Sequence, residues 1–167
     1  MKRILMIAVA MLPLMLMAQA RIGIVNSQNI FELMPEKAAA EAQLKAMSEK
    51  YHAEYELLRG EFDKKYADYQ TVAADASMPE TIKERRVQEL QESDKKMREF
   101  ERKAADDLAA RRTALTQPIT DKIQAAIRAA GEQGGFDLVF DTAVTPVAYT
   151  GANTIDITPM VKSILGL

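Results

Sequence analysis

The chain has 167 residues, with 22 Lys plus Arg against 24 Asp plus Glu and a formal net charge of −2, a balance that leaves no basic footprint for nucleic acid. It has no cysteine, which excludes disulfide staples and thiol catalysis. With no Trp, one His and 6% aromatic residues, it is poorly furnished for one compact core.

The first twenty residues read as a secretory signal peptide. Lys2 and Arg3 form a positive start, Ile4 to Met17 is an apolar run of 14 residues, and Ala18-Gln19-Ala20 is a small-x-small cleavage site. A bilayer span wants about 20 apolar residues, and Pro13 interrupts this run, so a membrane anchor is the poorer reading. Cleavage after Ala20 starts the mature chain at Arg21; losing Lys2 and Arg3 takes the net charge from −2 to −4. No second apolar stretch is long enough to span.

Arg21 to Asn26 is predicted as a strand, with Ile22 and Ile24 on one face and Val25 on the other. A short helix follows over residues 27–34, with Ser27 as its N-cap. Pro35 suits the first turn of a long helix running to Ala74. Its larger apolar residues are Leu44, Met47, Tyr51, Tyr55, Leu58, Phe62, Tyr66, Tyr69 and Ala73. They follow steps of three and four that close on an 11-residue repeat, marked by Leu44, Tyr55 and Tyr66. Such a repeat favours straight or slightly right-handed helix pairing, and forty residues would reach roughly 60 Å.

The pattern breaks at residues 75–80, where Ser77 and Glu80 have capping-box spacing and Pro79 fits a first turn. A second long helix is predicted from Met78 to Ala130. Met97, Leu108, Ile119 and Ala130 repeat the 11-residue period, as do Ala104, Leu115 and Ala126. A third row is mixed: Phe100 is apolar, Arg111 and Lys122 are not. A short connection makes the two helices antiparallel neighbours. Pairs such as Glu41–Lys45, Glu61–Lys65, Glu92–Lys96, Glu99–Lys103 and Asp107–Arg111 have the favoured i,i+4 order. Gly60 weakens the first helix, and Pro118, near the root of the arm, is expected to kink the second and act as a hinge.

The glycines at 131, 134 and 135 end the second helix. Phe136 to Asp141 is predicted as a strand, with two more short strands at Val147–Thr150 and Thr154–Ile157 around a turn at residues 151–153. Thr158-Pro159 opens a C-terminal helix whose apolar face is Met160, Val161, Ile164 and Leu165. The fold class is therefore α+β, mainly α: a long antiparallel helical hairpin beside a few short strands from both chain ends. So small a platform has exposed edges and little core, and self-association would cover them.

Arg21-Ile22-Gly23-Ile24-Val25-Asn26 before the hairpin resembles the opening of the Skp/OmpH family of periplasmic chaperones. So do Ile127-Arg128-Ala129-Ala130, Gly135-Phe136-Asp137-Leu138-Val139-Phe140-Asp141, Val147-Ala148-Tyr149 and Asp156-Ile157-Thr158 after it. The resemblance spans nearly the whole mature chain. It implies a jellyfish-like homotrimer with a β-rich body from residues 21–34 and 131–167 and three arms, residues 35–130, around a cavity. It further implies ATP-independent holding of unfolded outer-membrane β-barrel proteins in the periplasm. The best-known members are strongly basic, whereas this mature chain is mildly acidic, which sets it apart in any attraction to lipopolysaccharide or anionic lipid.

Within that frame the candidate client-binding residues are Tyr51, Tyr55, Phe62, Tyr66, Tyr69 and Val72 on the first arm helix. Tyrosine offers apolar area with a polar tip, and these side chains either meet clients or fill the seam between the helices. A second candidate surface is the tip, where Lys64, Lys65, Lys83, Arg85 and Arg86 flank small apolar residues and offer weak contact to anionic clients or membrane. His52 has no companion ligand, and Asp137 and Asp141 have no nucleophile or base beside them. No catalytic constellation, metal site or cofactor motif is expected. An exported coiled-coil spacer or adaptor for a folded envelope partner is the alternative function.

Overall fold

A computed structural model describes residues 20–167. The predicted leader, apart from Ala20, lies outside them. The elements are β1 (Ile22–Val25), α1 (Ser27–Leu33), α2 (Pro35–Ala74), α3 (Glu80–Gly134), β2 (Leu138–Asp141), β3 (Ile155–Asp156) and α4 (Thr158–Leu165). The protein is mainly helical, with a small sheet joining its two ends. No helix among the described residues is long and apolar enough to cross a membrane.

All three strands are parallel, in the order β2-β1-β3. Ile22 lies opposite Leu138 and Val25 opposite Asp141 on one side of β1, and Gly23 opposite Ile155 on the other. Parallel neighbours need a crossover connection, and here the crossover from β1 to β2 contains both long helices. The arm is thus an oversized loop between two adjacent strands.

The core sits where the arm meets the sheet. Val25 from β1, Ile30 and Met34 from the α1 region, Ile119, Ile123, Ala126, Ile127 and Ala130 from α3, and Ile157 and Val161 from the C-terminal segment form one buried cluster, with Phe31, Phe136, Val139 and Leu165 packed around it. Full burial of each large aliphatic there is worth about 1.5–3 kcal/mol. Gly23 lets β1 approach this cluster: a Cβ at that position would stand 3.2 Å from both Ile157 and Phe136 side chains. Gly135 takes φ 61°, and its N–H bonds the carbonyls of Glu132 and Gly131, the left-handed helix ending that glycine permits.

The arm is α2 against α3, antiparallel as expected. On α2 the covered row is Ala40, Leu44, Met47, Tyr51, Tyr55, Leu58, Phe62 and Tyr69; on α3 it includes Leu90, Ser93, Met97, Phe100, Ala104, Leu108, Leu115 and Ile119. The three-and-four stepping of the sequence is therefore the seam itself. Tyr66 leaves the row and is 46% exposed.

Several local expectations are corrected. The N-cap of α1 is Asn26, whose Oδ1 accepts the Asn29 N–H at 2.9 Å, in place of Ser27. The Ser77–Glu80 capping box does not form. Ser77 instead donates its N–H and hydroxyl to Asp75 Oδ1, at 2.8 and 2.6 Å, and α3 starts at Glu80 behind an uncapped Pro79. A local Asx turn satisfies these groups before the helix begins. α3 runs on past Ala130 to Gly134 because Gly131 keeps a negative φ, whereas Gly135 takes the positive one.

Residues 147–150 are not a strand, so the sheet has three strands where four short ones were expected. That segment finds no ladder partner within its own chain. Thr158 is not the N-cap of α4; its N–H is accepted by Asp156 Oδ1 at 2.8 Å. Of the apolar face predicted for α4, Met160 and Ile164 are exposed, while Val161 is fully covered. α3 is continuous through Pro118.

Candidate functional site

The arm surface is the candidate site, and its aromatic residues divide by how the seam holds them. Tyr51 packs edge-on against Phe100 across the helices, ring centroids 5.9 Å apart. Its hydroxyl donates to Asp107 Oδ2 at 2.9 Å. That bond to a carboxylate raises the Tyr51 pKa above the ordinary phenol value, and Glu101 does the same to Tyr55. Both rings therefore serve the helix pairing at one end and reach the surface at the other. Phe62 and Tyr66 stack along α2 with planes 8° apart and centroids at 6.3 Å, Phe62 half-buried and Tyr66 turned outward. Tyr69 and Val72 are half-buried near the tip.

Beside this seam runs a shallow groove of about 330 Å³ whose lining includes Tyr51, His52, Tyr55, Phe100, Ala104 and Leu108. Its lining is largely apolar carbon with a few hydroxyl and carboxylate tips. A larger cleft of about 590 Å³ opens near the tip between Tyr69 and Ala73 of α2 and Lys83, Val87 and Gln91 of α3. Neither contains a nucleophile paired with a base.

The mixed third row of α3 has a structural explanation. Arg111 donates to Gln43 Oε1 at 2.8 Å, and Lys122 donates to Glu36 Oε1 at 2.7 Å. Both cations bridge to α2, so the row fails as an apolar stripe because it works as a polar one. The bond from Lys122 holds the Glu36 carboxyl below the ordinary carboxylate value. Three of the anticipated i,i+4 pairs are corrected for the same reason. Lys96 reaches across to Glu61 at 3.7 Å, Lys65 donates to Ser93 at 3.5 Å, and Asp107 receives Tyr51, partners on the facing helix that a single-helix reading cannot see. Lys45 instead turns along its own helix to Glu49.

At the tip, the basic residues differ in their freedom. Arg86 holds Glu89 at 2.7 Å and Asp68 at 3.5 Å, and Arg85 also takes Glu89, at 3.0 Å. These bonds raise the Arg86 pKa and lower that of Glu89. Lys83 lines the tip cleft, and Lys64 is exposed on α2. At the root, Lys37 bonds Glu32 and Glu41, the latter at 3.1 Å.

Asp137 and Asp141 are structural acceptors. Asp137 Oδ2 accepts the Arg21 N–H at 2.8 Å, and Asp141 Oδ1 accepts those of Ser27 at 3.1 Å and Ala143 at 3.0 Å. No group of His, Asp and Glu among the described residues is arranged to hold a metal ion.

The family model described as Outer membrane protein (OmpH-like) matches residues 21–165. No curated protein matches the chain.

Proposed function

The chain belongs to the OmpH-like family of outer membrane proteins, and from that membership we propose that it holds unfolded outer-membrane β-barrel proteins in the periplasm without ATP. The family supports a chaperone-like periplasmic role in general terms. The finer reading rests on one observation above all. The chain spends 40 and 55 residues on two helices that project from a core confined to their root. Such an arm converts sequence into exposed surface.

In this reading Tyr51, Tyr55, Phe62, Tyr66, Tyr69 and Val72 supply weak apolar contacts, with Tyr66 the most available. Several arms acting together would retain a client although each contact is feeble. No nucleotide motif is present, so release follows client folding or transfer. Lys64 and Lys83 are the tip residues best placed for weak contact with an anionic client or surface, since Arg85 and Arg86 already hold carboxylates.

A homotrimer is part of the proposal, with residues 21–34 and 131–167 as its body and residues 35–130 as its arms. Parallel sheets are ordinarily covered on both faces, yet here the helices cover one. On the open face Ile22 is 36% and Leu138 49% exposed, and beside it Tyr149 is 85% exposed. A second and third copy would cover that face, and residues 147–150 would find a ladder partner in a neighbour's strand edge.

The test is direct. The purified mature protein keeps a denatured outer-membrane β-barrel protein soluble on dilution, without ATP and at a fixed ratio of trimer to client. Absence of any effect on aggregation, with tight binding of one folded envelope protein instead, would favour the adaptor reading.

A further inference from the structure

The backbone nitrogen of Arg21 is 2.8 Å from Asp137 Oδ2, and the Asp137 N–H returns a bond to the Arg21 carbonyl at 3.0 Å. The Arg21 guanidinium lies 4.8 Å from the centre of the Phe136 ring. It also stands 3.7 Å from where a Cβ on Gly135 would sit, at the C-terminal end of α3. Residue 21 thus enters the central strand against a carboxylate and beside the end of a long helix, where positive charge is favoured. In the unprocessed chain this nitrogen is an ordinary amide. Hydrolysis of the Ala20–Arg21 bond adds one water, leaving a carboxylate on Ala20 and an amine on Arg21 that takes up a proton.

We propose that removal of residues 1–20 makes the α-ammonium of Arg21 a fastening of the fold, pairing with the Asp137 carboxylate and tying β1 to the strand entry beyond α3. The proposal rests on the signal-peptide reading for its timing and on the Arg21–Asp137 geometry for its chemistry. An amide donor can make only a neutral-to-charged hydrogen bond there, whereas an ammonium makes a charge-assisted ion pair. The exported protein would therefore close its sheet more firmly after processing than before it. The charged groups that the contacts place at this point are the Asp137 carboxylate and the Arg21 guanidinium itself, and Asp137 is the carboxylate bonded to the Arg21 nitrogen.

The experiment uses the mature chain beginning at Arg21 and follows acylation of its α-amine against pH by mass spectrometry. The expected result is half-titration above the ordinary α-amino range of about 7.7–8.0, making the amine about three- to tenfold less reactive at pH 7. Asp137→Asn keeps an acceptor oxygen but loses the charge, and it should return the titration to the ordinary range. In parallel, a chain keeping Gln19-Ala20 ahead of Arg21 should melt about 1–3 °C lower than the mature chain at pH 7.

A raised amine pKa stabilises below the unfolded value and is lost as pH rises through the folded one. The melting difference should therefore shrink above about pH 8. An α-amine that titrates in the ordinary range in both the mature chain and Asp137→Asn overturns the pairing. The mass of the exported protein separates the two premises: a start other than Arg21 overturns the processing step, whatever the recombinant titration shows.

Discussion

At the scale of single residues, the arm's apolar seam is flanked by polar side chains that read as surface residues in the sequence and in fact bridge the two helices. Lys122 and Glu36 show how this responds to pH. The Glu36 carboxyl lies below its ordinary value of 4.5 because of the bond from Lys122, so its contribution is present above pH 4.5 and is lost as the pH falls through the lower folded value. Acid titration followed by circular dichroism should show the root of the arm loosening below that pH, and Lys122→Met should remove this component of the acid response. Tyr51 behaves in the opposite direction. Its raised pKa means that its bond to Asp107 persists as the pH rises past 10 and is lost only above the folded value; ultraviolet titration of wild type against Tyr51→Phe would detect this late-ionising phenol. In the core the expectation is larger: Ile123→Ala should cost about 2–5 kcal/mol by urea unfolding, since Ile123 is 2% exposed at the junction of helix and sheet.

At the scale of elements, the two long helices and the strands at each end were legible because periodicity is a local signal. Pro35 and Ala74 bound α2 as expected, and the aromatic steps of α2 mark its seam. What escaped were features decided by partners. Arg111 and Lys122 look like defects in an apolar row until α2 is placed opposite them. Residues 147–150 have strand composition but no adjoining strand in their own chain. Ser77 prefers the nearby Asp75 carboxylate to the helix it precedes. None of the candidate contact residues could be divided between seam and surface from spacing alone, because Tyr55 and Tyr66 occupy the same place in the 11-residue repeat, yet one is half-buried and the other exposed. Two substitutions probe the helices. Gly60 faces open space, with nothing within 4 Å of a Cβ built on it, so Gly60→Ala should stabilise the arm by about 1 kcal/mol in thermal melts. Pro118 leaves the Ala114 carbonyl without its helical donor, beside a groove of about 360 Å³ at the arm's root. Amide exchange should be faster around Ala114 to Thr120 than in the neighbouring turns, and uniform protection there would exclude a hinge.

At the scale of the whole molecule, the balance between arm and body governs behaviour. Among the described residues, 20–167, thirteen apolar residues are buried, and most of them lie at one end. A body of this size with one sheet face open is expected to be stable only when copies associate. Light scattering should therefore give the mass of a trimer, and unfolding should depend on protein concentration. Ile22→Asp on the open face should shift the mass toward the monomer. Loss of association with the arm helices still formed would show that the body alone carries assembly.

Because the hairpin is inserted between two paired strands, and because its seam repeats every eleven residues, its reach is uncoupled from its foundation. Excising eleven residues from each helix at matching levels would withdraw the far end by roughly 16 Å while leaving every side chain of the base in place. Relatives with longer or shorter limbs could arise by such paired insertions or deletions, changing the volume they embrace without redesigning how they stand together.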